Sequence, residues 1–286
     1  MKIFVSWSGE KSRLYAEALK DWLEQCIQSV EVFFSSEDIE KGINWNTKLS
    51  TELSDTNFGI VCLTNDNISA PWIHFEAGAL SKFLSSKVTA LVTDISISDI
   101  KGPLASFQAT KLEKEDMLKL LKSINKELEH PIEEERLTRN FNAFYNDFED
   151  KIKKIDFNML SYIILNEVEM SELTQCDNPK DGLKYFAKNY PKLKIIITLG
   201  SEGSMYGDTE KVVFQLSFKV NAVDTTAAGD TFTGYFFAQT AMGNTVEKSL
   251  KIASVASAIA VSRKGASVSI PMLNEVLAAE NSFQSS

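Results

Sequence analysis

The segment at residues 58–64, Phe-Gly-Ile-Val-Cys-Leu-Thr, constrains the fold of this chain more than any other stretch. It is apolar almost without interruption, and a strand of this kind needs cover on both faces, which is typical of the centre of a parallel sheet. Shorter apolar runs at 2–7, 30–34 and 88–94 alternate with stretches whose apolar residues recur every three to four positions. The pattern predicts a doubly wound α/β fold, whose ligands bind beyond the carboxyl ends of the strands.

Length and charge narrow the class of protein. The chain has 286 residues, enough for two domains, and 39 acidic against 30 basic residues give a net charge of −9. An acidic chain without a basic stripe is a poor candidate for binding nucleic acid. The amino terminus lacks the apolar core of a signal peptide, and no apolar run is long enough to span a bilayer. We therefore expect a soluble, cytoplasmic protein whose three cysteines are reduced and buried.

A carboxylate interrupts the apolar pattern of the helix predicted from Pro71. Glu76 follows Trp72 by four residues and falls on the apolar stripe of that helix. A carboxylate on a buried face is costly unless it is paired or used in chemistry. From the residues alone, Glu76 is either a catalytic group or a structural one that bonds to a neighbouring loop.

Three motifs of the first half resemble those of bacterial Toll/interleukin-1 receptor (TIR) domains. They are KIFVSWSGEKS at the amino terminus, SSEDIEKGINW at 35–45 and APWIHFEAGALSK at 70–82. The resemblance implies a flavodoxin-like TIR domain over residues 1–155, with Trp72 and Glu76 at the positions of a W-x-x-x-E helix. In catalytic members that glutamate cleaves the nicotinamide–ribose bond of NAD⁺. Ser6 and Ser8 would bind the cofactor, although capping of the first helix is an equal alternative.

The second half is dominated by the turn at 223–236, Val-Asp-Thr-Thr-Ala-Ala-Gly-Asp-Thr-Phe-Thr-Gly-Tyr-Phe. Gly229 permits a tight turn, and Asp230 stands at the start of a helix. The free N–H groups at a helix N-terminus suit a phosphate, and Asp230 is placed to accept a proton from an attacking hydroxyl. The structural alternative is that Asp230 merely caps the helix.

This turn and three further segments, Asn-Glu-Val-Glu at 166–169, 198–204 and 258–271, resemble the C-terminal half of ribokinase-like PfkB carbohydrate kinases. The resemblance implies a partial ribokinase-like α/β lobe at 156–286, with Asp230 as catalytic base. It also implies an ATP site with Mg²⁺ and a monovalent cation near Asp224. The further residues that it assigns to this site are Asn166 and Glu169 (magnesium and phosphate), Thr198, Gly200 and Gly203 (ATP), and Ala228 and Gly229 (anion hole).

The two resemblances together predict an NAD⁺ glycohydrolase or cyclase, serving anti-phage or stress signalling, with a nucleotide-binding appendage. No Gly-Gly pair is present for the sugar pocket of a whole kinase. The alternatives are a kinase for ribose or a similar carbohydrate that acts with a partner supplying its other half, a TIR scaffold without catalysis, and an accidental fusion of two gene fragments. As partners we expect self-association through the TIR domain, involving the 35–45 loop, and other TIR or kinase-half proteins, but no membrane.

Overall fold

A computed structural model of the chain describes residues 1–34, 56–83 and 87–280. These residues form two compact units, Met1–Asp156 and Phe157–Ser286. The predicted α/β class is confirmed, because each unit combines one sheet with packed helices. Within the described ranges no helix is both long and apolar enough to cross a membrane.

The first unit is built on a parallel sheet of five strands in the order β2-β1-β3-β4-β5. From β1 the chain first adds β2 on one side and then β3, β4 and β5 on the other, as in doubly wound sheets. Its described elements are β1 (Lys2–Ser6), α1 (Glu10–Cys26), β2 (Glu31–Phe34), β3 (Phe58–Leu63), α2 (Pro71–Phe83), β4 (Val88–Val92), β5 (Gln108–Lys111), α3 (Lys114–Lys126) and α4 (Glu134–Met159).

Both faces of this sheet are buried, which explains its apolar strands. Ile3 and Val5 face α1, α3 and α4, whereas Phe4 between them faces α2. All six residues of β3 are buried, as residues 58–64 predict. Cys26 and Cys62 are buried free thiols, whereas Cys176 of the second unit is partly exposed.

The second unit has a four-stranded sheet in the order β6-β7-β8-β9, in which β6 and β7 are parallel and the other pairs antiparallel. Its elements are β6 (Tyr162–Asn166), α5 (Glu167–Thr174), α6 (Pro179–Asn189), β7 (Lys194–Thr198), β8 (Gly203–Gly207), β9 (Val212–Leu216), α7 (Ala228–Ala241), α8 (Val246–Val261) and α9 (Leu273–Ala279).

Helices cover both faces of this second sheet as well. Ile195 and Ile197 of β7 pack with α5 and α6, whereas Ile196 between them packs with α7 and α8. The carboxyl end of β7 is therefore held between helices on either side, and the loop that follows it leads into the site described next.

Candidate active site

The loop after β7 requires glycine at two positions. Gly200 and Gly203 have φ angles of 54° and 122°, which L side chains rarely adopt. A Cβ on Gly203 would lie 2.0 Å from the carbonyl oxygen of Gln215. The amide of Leu199 donates to the carbonyl of Gly203 at 2.9 Å and closes the loop. The loop is thus compact: Gly203 is packed against the backbone of Gln215, whereas a Cβ on Gly200 would meet nothing within 4 Å.

Asp224 fixes the segment that precedes α7. Its Oδ1 accepts a hydrogen bond from the amide of Thr226 and its Oδ2 one from the amide of Gly265, both at 3.0 Å. Its own amide donates to the carbonyl of Val261 at 3.1 Å. Hydrogen bonds from Thr226, followed by that from Gly265, hold the pKa of the Asp224 carboxyl below its ordinary value. The Asp224 carboxylate therefore links two loops by accepting hydrogen bonds from a backbone amide of each.

The N-terminus of α7 presents unused backbone donors. Ala227 precedes the helix in the left-handed conformation, with φ of 64°, and its side chain cannot cap. The amide of Ala228 donates to the carbonyl of Thr225 at 3.2 Å. Within the part of the chain that the structure describes, the amides of Gly229 and Asp230 donate no hydrogen bond. The helix dipole adds a partial positive charge at this end, and the exposed Asp230 stands in the first turn, so the predicted anion hole stays a prediction.

A cavity of about 760 Å³ lies against the loop and this helix end. Its volume is in the range of sites for small ligands and cofactors. Five of the residues predicted to bind the nucleotide line it: Thr198, Gly200, Gly203, Ala228 and Gly229. Asp230 adjoins the lining through Gly229. Two segments that the sequence assigns to the nucleotide site, the loop after β7 and the start of α7, therefore line the same cavity. Their ligand-binding role stays a prediction.

The cavity also has lining residues that sequence reasoning missed. Lys219 lies in its wall and brings a cation to a site that has backbone donors for an anion. Ser254 and Ser257 come from α8, and the Ser257 hydroxyl donates to the carbonyl of Ala228 at 3.1 Å. The run of small residues at 252–261 could have indicated them, because small side chains allow one helix to approach another closely.

Asn166 is the last residue of β6 and is in register with Thr198 of β7, whereas Glu169 lies in the first turn of α5. Asn166 Oδ1 accepts from the amide of Glu169, and Glu169 Oε2 accepts from the amide of Asn166, each at 2.9 Å. This reciprocal capping box starts α5. Neither residue lines the cavity, so their assignment to magnesium and phosphate stays a prediction.

In the first unit, Ser6 and Glu76 meet at the carboxyl end of β1. The Ser6 hydroxyl donates to Glu76 Oε2, and both residues are fully buried. The contact joins α2 to the central strands. The buried face of α2 carries Ile73, Ala77 and Leu80, which are fully buried, whereas Phe75 is 47% exposed. Glu76 therefore lies on the buried face of α2, as the sequence predicts, whereas the neighbouring Phe75 does not.

The other predicted residues of this unit are arranged differently. The Ser8 amide donates to Ser12 Oγ at 3.0 Å, and the Ser12 hydroxyl is within 2.6 Å of the Ser8 carbonyl, so Ser8 takes part in the start of α1 through its backbone. Trp72 is half-buried and stacks on Phe75 with ring centroids 5.8 Å apart. The predicted self-association loop at 35–45 lies outside the described residues.

Comparisons with known proteins identify the family. A family model described as "pfkB family carbohydrate kinase" matches residues 41–273. The ribokinase of Schizosaccharomyces pombe is 41% identical over 124 residues, which are 41% of this chain and 39% of that protein. The ribokinase of Lactococcus lactis is 37% identical over 127 residues, 44% of this chain and 40% of the relative. The chain thus spans about two-fifths of the length of these relatives. The ribokinase of Bacillus subtilis is 27% identical over 234 residues, 79% of this chain and 78% of that protein.

These findings correct the interpretation of the first half. The kinase match begins at residue 41 and includes the helix that carries Trp72 and Glu76, so the assignment of residues 1–155 to a TIR domain is wrong. The NAD⁺ glycohydrolase activity, the NAD⁺ substrate and the anti-phage role inferred from it are wrong for the same reason. A W-x-x-x-E spacing specifies two side chains only, and doubly wound sheets serve many chemistries. The carbohydrate kinase, which was the alternative, fits better, since the match covers well over half of the residues. The chain belongs to the pfkB family of carbohydrate kinases.

Proposed function

We propose that the chain transfers the γ-phosphoryl group of ATP to a hydroxyl group of a pentose such as ribose. The observation that carries this proposal is the position of Asp230, in the first turn of α7 beside unused amides and next in sequence to Gly229, which lines a cavity of about 760 Å³. Family membership supports the reaction class, and the names of the relatives support the sugar.

The phosphates of ATP would lie at the N-terminus of α7. The amides of Gly229 and Asp230 point out of the first turn, and the helix dipole adds a partial positive charge there. Lys219 supplies a full positive charge from the cavity wall. Gly200 has open space where a Cβ would lie, so its backbone can be approached by the nucleotide, whereas Gly203 closes the loop against Gln215.

Asp230 would act as the general base. The attacking hydroxyl bonds to the γ-phosphorus as the bond from that phosphorus to the bridging oxygen of ADP breaks. The hydroxyl proton passes to the Asp230 carboxylate. In the loose transition state of phosphoryl transfer little covalent work is left to the protein, so positioning and charge stabilisation dominate. The free amide of Gly229 would supply charge stabilisation.

Magnesium accompanies ATP in this reaction class and neutralises the charge of its phosphates. Mg²⁺ prefers oxygen ligands and keeps several of its waters, so an exposed carboxylate can hold it through water. Glu169 fits this description, because its Oε2 is used in the capping box and its Oε1 is not. Asp224 keeps carboxylate lone pairs beyond the two amide bonds, and it remains the proposed neighbour of a monovalent cation.

The test is direct transfer of phosphate by the purified full-length chain. The protein is incubated with ATP, Mg²⁺ and ribose, deoxyribose or fructose 6-phosphate, and ADP and the sugar phosphate are measured by mass spectrometry. We expect a phosphorylated pentose in equal amount to ADP. ATP hydrolysis that is independent of sugar, or no product with any of the three acceptors, would contradict the proposal.

Binding and transfer are separated by calorimetric titration with ATP in the presence of Mg²⁺. Phe232→Ala would serve poorly as a control, because Phe232 is part of the core as well as of the cavity lining. Ser254→Trp fills the cavity from the α8 side, and urea denaturation checks that this variant folds, because Ser254 is buried as well. It should abolish ATP binding, whereas a tryptophan at the exposed position Val268 should not.

A further inference from the structure

Ala228 and Gly229 share one peptide group at the start of α7. The carbonyl of that group belongs to Ala228 and its N–H to Gly229, and the atoms of a peptide group lie close to one plane. The Ser257 hydroxyl of α8 donates a hydrogen bond to this carbonyl at 3.1 Å. A contact that holds the carbonyl therefore also orients the N–H that the proposed reaction uses for the phosphates.

The first turn of α7 depends on Ser257 for support from another element. Ala227 precedes the helix, and its side chain makes no capping hydrogen bond. The backbone bond from the amide of Ala228 to the carbonyl of Thr225, at 3.2 Å, joins residues only three positions apart. Within the described ranges, Ser257 is the one side chain that bonds to the backbone of this turn.

Helix α8 is a firm support for the Ser257 side chain. The residues on either side of it, Ala256 and Ala258, are buried in the second unit. One turn further along, and on the same face of the helix, the carbonyl of Val261 accepts a hydrogen bond from the amide of Val223 at 2.7 Å. Two points of α8 that are four residues apart therefore hold both ends of the turn that leads into α7.

The hydrogen bond at the carbonyl also affects the charge on the N–H of the same peptide group. A donor at the carbonyl oxygen draws electron density toward that oxygen and leaves the N–H more positive, because hydrogen bonds linked through one group polarise each other. Ser257 and Gly229 line the same cavity, and the bond itself is partly buried. Such polarisation has a larger effect there than in bulk water, since the local dielectric constant is lower.

We propose that Ser257 is a positioning residue, whose hydroxyl orients and polarises the peptide group of Ala228 and Gly229 so that the Gly229 amide binds the phosphates of the nucleotide. This inference rests on the function proposed above for the site. Ser257 acts through the peptide group and requires no contact with the nucleotide. Outright loss of a donor to a developing negative charge costs about 10²–10³-fold in kcat. Without the Ser257 hydroxyl the donor remains but is held less well, so we expect a smaller loss, about tenfold.

NMR can observe this peptide group selectively. The sequence has alanine followed by glycine at two places, 77–78 and 228–229. Protein labelled with ¹³C at alanine carbonyls and with ¹⁵N at glycine therefore gives two signals in a carbonyl–amide correlation spectrum. Gly78→Ala removes one of them and so assigns both, and an added Cβ there meets nothing within 4 Å. In Ser257→Ala we expect the carbonyl and amide nitrogen resonances of 228–229 to move upfield, because the carbonyl loses its donor, and those of 77–78 to stay in place.

Titration with ATP and Mg²⁺, followed on the Gly229 signal, measures the effect on binding, and steady-state assays measure the effect on transfer. Ser257→Ala should weaken ATP binding about threefold, the size of one modest hydrogen bond. It should lower kcat about tenfold and leave KM for the sugar within about twofold, because the sugar does not use this amide. Ser257→Thr keeps the hydroxyl and should behave like the wild type.

Ser262→Ala is the matched control. The Ser262 hydroxyl also donates to a backbone carbonyl, at 2.7 Å, but that carbonyl belongs to Ile259 of the same helix. This variant should leave the Gly229 signal, ATP affinity and kcat unchanged. Urea denaturation of every variant compares their stabilities, so that a general loss of folding is recognised.

The results distinguish this inference from the proposed reaction. A wild-type protein that forms no sugar phosphate contradicts the reaction, and the ATP titration then decides the role of Ser257 by itself. Unchanged 228–229 resonances in Ser257→Ala would overturn the inference, as would changed resonances with wild-type ATP affinity and kcat. A wild-type Gly229 signal that does not respond to ATP, or a Ser257→Thr variant as impaired as Ser257→Ala, would overturn it too.

Discussion

Asp224 and Gly265 are 41 residues apart in sequence, and the amide of Gly265 donates to Asp224 Oδ2 at 3.0 Å. The bond connects the turn before α7 with the loop after α8. It holds the two ends of the candidate active site together, since the turn carries Gly229 and Asp230. Because the donor is a backbone amide, the contact depends on the conformation of Gly265 rather than on its side chain.

We expect Gly265→Ala to destabilise the protein. Gly265 has φ of 104°, and an added Cβ would lie 2.7 Å from Val268 Cγ2. A non-glycine residue held in such a region costs about 1–3 kcal/mol. Chemical denaturation of both variants measures the loss, with Gly234→Ala as the control. Gly234 lies inside α7 with open space around it, so alanine there should stabilise by about 0.5–1 kcal/mol. Equal effects at the two positions would contradict the structure.

The hydrogen bonds to the Asp224 carboxylate also predict that stability depends on pH. Hydrogen bonds from Thr226 and Gly265 lower the pKa of the Asp224 carboxyl in the folded state. A lowered pKa means that the carboxylate's contribution is complete above its unfolded pKa, about 3.9, and is lost as the pH falls through the folded value. The difference in unfolding free energy between wild type and Asp224→Asn should therefore be largest near neutral pH and shrink below about pH 4. Urea denaturation at several pH values measures it, and a constant difference would refute this role.

The buried bond between Ser6 and Glu76 predicts a second effect on stability. Ser6→Ala removes a donor to a fully buried carboxyl group, a loss that costs about 1–3 kcal/mol. Ser8→Ala is the matched control, because Ser8 contributes its backbone and is half-buried, so its effect should stay within about 0.5 kcal/mol. Thermal and urea denaturation of both variants compare them. A loss at Ser8 as large as that at Ser6 would argue against the buried contact.

The sequence predicted strands well where burial decides them. The run at 58–64 forms a central strand because its apolar residues have helices on both faces. Sequence reasoning did not predict the hairpin of β8 and β9: residues 203–207 contain two glycines and a serine and have little intrinsic preference for a strand, whereas 212–216 has that preference and was overlooked. That hairpin depends on the close approach of Gly203 to the carbonyl of Gln215, which is a tertiary contact.

In the candidate site, too, features set by neighbouring residues were predictable and those set by distant contacts were not. The turn at 223–230 was predictable because its glycine, its helix start and its carboxylate are neighbours in sequence. Lys219 was missed, because it reaches the cavity from the segment after β9, whose path depends on the sheet. The first half was assigned to the wrong family because the resemblance rested on three short segments, at 2–12, 35–45 and 70–82, whereas the family match spans residues 41–273.

Asp230→Asn gives the sharpest test of the proposed reaction. Asparagine has nearly the same size and cannot accept the proton of the attacking hydroxyl. General base catalysis contributes about 10²–10⁴-fold, so kcat for sugar phosphorylation should fall by that factor. The fold should be unaffected, because Asp230 is exposed and no residue of the described ranges bonds to its side chain. Steady-state assays with saturating ATP and ribose, together with urea denaturation, separate the two quantities.

Asp181→Asn is the control for this variant. Asp181 is also exposed and lies in the first turn of a helix, α6, but it has no place in the cavity lining. Its substitution should leave kcat within about twofold, since surface changes of this kind shift energies by less than about 0.5 kcal/mol. Calorimetry should show that Asp230→Asn still binds ATP, because the amides of Gly229 and residue 230 remain. Phosphorylation that persists within a fewfold in Asp230→Asn would exclude this carboxylate as the base, and the catalytic group would then have to be another residue at the cavity rim.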